Sequence, residues 1–229
     1  MSEMENPFKD MRAVLFDLDG TLVETNIDFG LMKREMIALG EKYGVPVHET
    51  QELDILAIVD LVVCRLKGLS LDNEADCARR EAFEKLEQIE LIHCEDARPV
   101  ETATDLLNAL NQAGIKTAIV TRNCLTGVRL STEKSGISAD VLLTRDDVEN
   151  TKPHPDHLLK ALNALGIPPN EAVMIGDHWM DVQAGKAAGT RTIGFLRPGR
   201  PEDFFDNMKP DLVIRNLSEL LVHIERLDK

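Results

Sequence analysis

The chain predicts a doubly wound α/β fold carrying an all-helical insertion, on three observations. Short, almost continuously apolar segments recur along it, helical patterns alternate with most of them, and one long interval holds helical patterns alone. Apolar runs of this length mark strands buried on both faces, as in a parallel sheet covered by helices. Regular alternation of such strands with helices is the pattern of a doubly wound sheet.

The first strand is Ala13-Val14-Leu15-Phe16. Five more segments read alike: Lys116–Thr121, Asp140–Thr144, Ala172–Asp177, Arg191–Leu196 and Asp211–Ile214. Between them, "ETATDLLNALNQAG" sets Leu106, Leu107 and Leu110 on one stripe and stops at Gly114. "HPDHLLKALNALG" does the same with Leu158, Leu159, Leu162 and Leu165, and Gly166 ends it. From Thr25 to Asp96 no strand is evident, and three helical segments follow one another. This interval predicts an inserted helical subdomain, with the chain crossing near Leu22–Thr25 and Glu95–Val100. The expected domains are therefore a core of residues 1–24 and 97–229 and a helical domain of residues 25–96. "ILAIVDLVV" reads as the apolar face of one inserted helix.

The chemistry-bearing residues sit where strands end. The first strand runs into "DLDGT", placing Asp17 and Asp19 two residues apart, on one face if the strand continues. Like charges held so close repel, and burial makes each harder to ionise. Such a pair calls for a cation, a proton-transfer task, or both. The second strand ends with Thr121, another ends "GDHWMD" with Asp177 and Asp181, and a loop before it carries Lys152. In open α/β sheets, sites form outside the carboxyl ends of the strands, so these residues are expected on one rim. Several carboxylates suit Mg²⁺, a hard cation that prefers oxygen ligands. A lysine and a hydroxyl suit phosphoryl oxygens. One carboxylate can then serve as nucleophile and its neighbour as acid, which reads as phosphoryl transfer through an aspartyl-phosphate.

Composition narrows the partners. With 26 Lys and Arg against 40 Asp and Glu, the net charge of −14 argues against a duplex nucleic-acid binder. An anionic substrate must then be drawn in by a local positive field. Cys64, Cys77, Cys94 and Cys124 lack metal-ligand spacing and are expected as buried or partly buried free thiols. The first residues carry no secretory pattern, and the longest apolar stretch, Ile55–Cys64, is too short to span a bilayer. The expectation is a cytoplasmic protein, monomeric or homodimeric, with a small phosphorylated metabolite as partner and neither nucleic acid nor membrane.

Taken together and in order, "DLDGT", "VTRN", Lys152 of "TKP" and "GDHWMD" resemble the four motifs of the haloacid dehalogenase-like superfamily. The helical insertion resembles that family's cap, and "GDHWMDVQAGKAAGTRTIG" is similar to its phosphoglycolate phosphatase-like branch. The resemblance implies a Rossmann-like core and a Mg²⁺-dependent phosphatase acting on a small, phosphoglycolate-like monoester. It implies Asp17 as nucleophile and metal ligand, and Asp19 as the acid that protonates the leaving oxygen and then activates water. Asp19 would also lend its main-chain carbonyl to the metal. Asp177 would ligate the metal, and Asp181 would support it directly or through water. Thr121 and Lys152 would bind the phosphoryl group, with backbone N–H groups near Gly20 and Arg122. Dehalogenating relatives tend to lack the second aspartate, so Asp19 favours phosphate esters.

Alternatives remain at this level. A sugar-phosphate mutase resembling beta-phosphoglucomutase would use the same residues, and a non-catalytic binding protein could hold a phosphometabolite without turnover. Singly, each motif has a plainer reading: an Asx turn at Asp17 and Asp19, a solvated loop lysine at Lys152, a helix N-cap at Asp177. His154 and His157 are expected in a solvent-facing first helical turn. In the helical insertion, Arg34, Lys42, Arg65, Lys67, Arg79 and Arg80 are cationic candidates to read a substrate carboxylate.

Overall fold

The computed structural model describes residues 7–94 and 96–224. The chain divides into two compact units, Met1–Thr25 with Asp96–Lys229, and Asn26–Glu95.

The first unit is built on a six-stranded sheet of β1 (Ala13–Phe16), β4 (Lys116–Val120), β5 (Val141–Leu143), β6 (Ala172–Gly176), β7 (Arg191–Phe195) and β8 (Leu212–Ile214). The order is β5-β4-β1-β6-β7-β8, and every pairing is parallel. Alternate residues serve opposite faces, as a pleated strand requires. Val14, Phe16, Ile119, Val173 and Ile175 join one apolar cluster. Ala13, Leu15, Ala118, Val120, Ala172 and Met174 join another. The first cluster takes in Leu106, Leu107 and Leu110 of α5 (Ala103–Gln112) and Val128 of α6 (Leu125–Ser135), together with Leu220 and Ile224 of α9 (Ser218–Ile224). The second takes in Leu158, Ala161 and Leu162 of α7 (Asp156–Leu165) and Ala184 and Ala188 of α8 (Trp179–Ala188). Helices on both faces explain why the strands are apolar throughout rather than alternating.

Strand boundaries differ slightly from the sequence reading, for a physical reason. Asp140 and Asp211 stand just before β5 and β8. Each accepts a hydrogen bond at 2.8 Å from the backbone N–H of a threonine on the neighbouring strand, Thr117 and Thr192 respectively. Their side chains pin the start of the edge strands, and the Asp211 N–H also donates to the Thr192 carbonyl at 3.0 Å. At the other end, Thr121, Asp177 and Leu196 leave their strands by one residue.

The chain moves from β1 out to β4 and β5, then returns to place β6 on the other side of β1. The reversal makes β1 and β6 the topological switch point, where a crevice opens beyond the strand ends. At the two crossings predicted from sequence the chain forms β2 (Val23–Glu24) and β3 (Arg98–Pro99), which pair antiparallel with Val23 opposite Pro99.

The second unit contains α1 (Phe29–Lys42), α2 (Val47–Thr50), α3 (Ile55–Gly68) and α4 (Asp72–Cys94). Asp28 and Asp54 cap α1 and α3 by accepting first-turn backbone N–H groups. Ile58, Val59, Val62, Val63 and Leu66 of α3 pack with Met32, Met36 and Leu39 of α1 and Ala75, Ala78, Ala82 and Leu86 of α4. No helix among the described residues is long and apolar enough to cross a membrane.

Three expectations are corrected. Cys64 and Cys77 are exposed rather than buried, whereas Cys94 and Cys124 are buried; all four are free thiols. Cys64 lies off the buried stripe of α3, on the same side as exposed Asp60. Leu159 is 38% exposed, because the α7 stripe runs through His157, Leu158, Ala161 and Leu162 and leaves it outside. His157 accordingly faces the core and has no surface exposure.

The contrast within α7 gives a direct test. Leu162→Ala is expected to cost about 2–5 kcal/mol of unfolding free energy, and Leu159→Ala about 0.5 kcal/mol or less. Urea denaturation of both variants checks it, and equal costs would contradict the assigned face.

Candidate active site

Lys152 organises the carboxyl rim of the sheet. It precedes α7, and its side chain is 2% exposed. Its ammonium donates to Asp17 Oδ1 and to Asp181 Oδ1, each at 2.7 Å. Burial pushes the Lys152 pKa down, but the two carboxylates outweigh it and hold the ammonium above its ordinary range. The loop lysine is therefore an internal cation.

Asp17 follows β1, and its backbone N–H donates to the Ile175 carbonyl of β6 at 2.9 Å, tying it to the neighbouring strand. Asp177 follows β6. Asp17, Asp177 and Asp181 each bring one carboxylate oxygen within 4.8 Å of the others. Burial, then the Asp17 charge, raises Asp177 to about 8. Burial likewise raises Asp17 to about 6, with Lys152 opposing it and Asp181 adding to it. Three wholly or partly buried carboxyl groups, two of them on the one ammonium, are short of positive charge when ionised, and a divalent cation held by oxygen ligands would supply what the cluster lacks.

Close approach of these groups depends on two glycines. A Cβ at Gly176 would lie 2.2 Å from Asp181 Cγ, so only a bare backbone lets that carboxylate reach Lys152. Gly20 has φ +83°, and a Cβ there would lie 2.6 Å from Asp177 Oδ2. The N–H of Gly20 donates to the Val23 carbonyl at 2.8 Å. That N–H is therefore engaged within its own turn.

Asp181 sits in the first turn of α8. Its Oδ2 accepts the backbone N–H of His178 at 3.1 Å, while its Oδ1 accepts from Lys152. The helix N-cap is His178, not Asp177, so Asp177 is released from capping.

Asp19 stands apart from the acidic trio. Its Oδ1 accepts from Thr25 Oγ1 at 2.8 Å, and its Oδ2 accepts from Asn123 Nδ2 at 3.3 Å and from Thr121 Oγ1 at 3.5 Å. Burial first, and the Asp17 charge second, raise it to about 6. A carboxyl with that pKa exchanges a proton readily near neutral pH. Arg122, half-buried, rests its guanidinium on the Met180 sulfur, and its carbonyl accepts from Arg145 Nη1 at 3.1 Å.

Sequence reasoning missed Asn123 and Thr25, the partners that orient Asp19. Asn123 stands in the quoted "VTRN", and its position two residues past Thr121 was an available signal. Thr25 offered none, because its contact depends on the turn after β1. His157 was also misplaced. Burial, reinforced by the Lys152 charge, lowers it to about 3, and although the Thr144 carbonyl lies near, neither ring nitrogen makes a hydrogen bond of normal geometry. Of the insertion's cationic candidates, Lys42 pairs with Glu81, Arg65 with Glu49, Arg34 with Asp28 and Arg79 with Asp60, while Arg80 contacts the Cys77 sulfur. Lys67 is exposed.

Comparison with known proteins adds an independent view. Residues 11–189 match the family model of the haloacid dehalogenase-like hydrolases. The chain is 32% identical over 217 residues to a protein named pyrophosphatase PpaX from Bacillus pumilus, covering 92% of this chain and 95% of that one. It is 32% identical over 224 residues to a protein named N-acetylmuramic acid 6-phosphate phosphatase from Pseudomonas aeruginosa, covering 94% and 96%. It also resembles the crystal structure of a hydrolase of this family from Deinococcus radiodurans, described with bound phosphate and sodium. That match has a TM-score of 0.59, 25% identity and 94% coverage of each chain.

The carboxylate cluster predicts a pH signature. Asp177 holds its proton to about 8 when folded, against 3.8 for the ordinary group, so the stability this lends is lost as pH rises through about 8. Between about pH 7 and 8 His157 is neutral when folded and mostly neutral when unfolded, so its opposing effect masks little of that loss. Without a divalent cation, the melting temperature is expected to fall across that window, and Asp177→Asn is expected to flatten the slope. Mg²⁺ should raise the melting temperature more at about pH 8 than at about pH 5, where protons compete with it. Thermal unfolding in buffered series reads all three, and a cation effect independent of pH would contradict the assignment.

Proposed function

Since the chain belongs to the haloacid dehalogenase-like hydrolases, we propose that it is a Mg²⁺-dependent phosphatase that hydrolyses a small phosphate monoester through an aspartyl-phosphate. The observation that carries this reading is the buried ammonium of Lys152 shared by Asp17 and Asp181, with Asp177 alongside and Asp19 held separately.

In this reading Asp17 attacks phosphorus, and the bond from phosphorus to the leaving oxygen breaks as Asp19 delivers its proton to that oxygen. Asp19, now a carboxylate, takes a proton from the water that attacks the aspartyl-phosphate. Phosphate departs and Asp17 is restored. Thr25 and Asn123 hold the Asp19 carboxyl in place for both proton transfers. Lys152 offsets phosphoryl charge and fixes the orientation of Asp17, while the Thr121 hydroxyl, on the same rim, would turn from its 3.5 Å contact with Asp19 to donate to a phosphoryl oxygen. Asp17, Asp177 and the main-chain carbonyl of Asp19 would hold the metal. Asp181 would support it directly or through water, with one oxygen held by Lys152 and the other by the His178 N–H. When bound, Mg²⁺ neutralises phosphoryl charge and the carboxylate repulsion around it.

The helical unit Asn26–Glu95 serves as the cap that sorts substrates. Phosphoglycolate is the reference substrate of this proposal. The names carried by the similar proteins add pyrophosphate and a sugar 6-phosphate acid to the set to be compared.

Phosphate release over that set, with Mg²⁺ and with EDTA, tests the proposal. Release is expected to need the metal, to vanish in Asp17→Asn, and to fall by about 10²–10⁴ in Asp19→Asn. Release that survives Asp17→Asn would remove the aspartyl-phosphate route.

A further inference from the structure

A second cationic feature stands on the same unit, one strand away from Asp177. β7 runs beside β6 with Gly194 opposite Gly176, so the segment leaving β7 starts on the rim that Asp177 occupies. That segment is Arg197-Pro198-Gly199-Arg200. The Arg200 N–H donates to the Arg197 carbonyl at 3.1 Å, and Gly199 has φ +85°. Proline at the second position and a positive-φ glycine at the third are the requirements of a type II turn. Two guanidinium groups therefore spring from one tight, pre-set turn.

Their partners differ. Arg197 lies over the Phe195 ring and is ion-paired with Glu24. Arg200 is exposed, and its guanidinium sits 4.8 Å from the centroid of the Phe204 ring. Phe204 in turn meets the ring of His178 edge-on at 6.2 Å, and His178 directly follows Asp177. Stacking on an aromatic face fixes the plane of a guanidinium and leaves its N–H edge open to a ligand. Among the described residues Arg200 has no carboxylate ion-pair partner, in a chain where acidic side chains outnumber basic ones by 40 to 26. Both arginines also lower the Asp177 pKa, so their fields reach the acidic cluster.

We propose that Arg200 is a specificity-determining residue of the core, held by the Arg197–Arg200 turn and the Phe204 ring to bind an anionic group that the substrate carries beyond its transferred phosphoryl. The inference rests on the phosphatase reading and deepens it. The favoured substrate class is a phosphate compound with a second negative centre, either another phosphoryl group or a carboxylate. A planar guanidinium takes both in the same two-pronged fashion. The discrimination resides in this turn whatever the cationic side chains of the helical unit contribute.

The test compares kcat and KM of the wild type and Arg200→Gln on pyrophosphate, phosphoglycolate and p-nitrophenyl phosphate, whose distal group is uncharged. The ratio of kcat/KM for a doubly anionic substrate to that for p-nitrophenyl phosphate is expected to fall about tenfold or more, mainly through KM. Arg200→Lys, which keeps charge but loses planarity, should recover only part of it. Arg12→Gln makes the same charge change just before the start of β1, and should leave the ratio alone. A fall confined to pyrophosphate identifies a second phosphoryl group as the recognised anion, and one confined to phosphoglycolate identifies a carboxylate. A ratio unchanged in Arg200→Gln, or lowered equally by Arg12→Gln, would overturn the proposal. Failure of the underlying reading looks different: wild type and Asp17→Asn would then be indistinguishable on every substrate.

Discussion

One ammonium placed among carboxylates, with almost no solvent to share the charge, sets the terms for the rest of the catalytic unit. Lys152 is 2% exposed and serves Asp17 and Asp181 at once, with Asp177 close by. Removing such charges from water costs several kcal/mol per ion, and that cost is recovered only when partners are placed closely. The surrounding structure meets that demand. The sheet reverses its winding between β1 and β6 so that Asp17 and Asp177 emerge side by side. Gly176 and Gly20 withhold side chains where any carbon would collide with Asp181 or Asp177. His178 caps α8, so the neighbouring aspartate need not.

The two aspartates of "DLDGT" show how environment divides labour between identical groups. Both are raised to about 6, and burial is the leading cause for each. Their partners differ. Asp17 faces an ammonium, whereas Asp19 is held by a hydroxyl just past β2 and an amide from the loop after β4. A fixed charge holds Asp17 ready to be a carboxylate. Neutral donors leave Asp19 able to gain and lose a proton with little reorganisation. The separate tasks of the proposed mechanism thus rest on contacts both local, from Thr25, and distant, from Lys152 and Asn123.

The legible and illegible parts of this protein separate along the same line. Strand positions were readable because strands buried on both faces have to be apolar throughout, and the rim residues because each stands where an apolar run stops. The insertion was readable because helical periodicity persisted without a strand. Asp140 and Asp211 were read one residue into their strands, since nothing local distinguishes a ladder residue from one that pins a neighbouring strand. Thr25 carries no sequence signal because its importance lies wholly in a partner brought by the fold, whereas Asn123 stands two residues past Thr121 in a motif already singled out. His157 was misread through its chemistry: a histidine near a helix start invites a polar reading, yet its spacing to Ala161 places it on the buried stripe. Cys64 erred the other way, an apolar-seeming residue on the solvated side of α3.

The small antiparallel pair of β2 and β3 has a consequence of its own. The chain leaves the sheet unit and re-enters it through two strands hydrogen-bonded to each other, with Glu24 opposite Arg98. To the sheet unit, everything between is a closed loop whose ends are already joined. The entropy of closing such a loop grows only with the logarithm of its length, so doubling the intervening chain costs about 0.6 kcal/mol. The doorway thus makes its contents interchangeable: an insert of other length or shape can hang from the same two strands while the carboxylates and their lysine stay as they are.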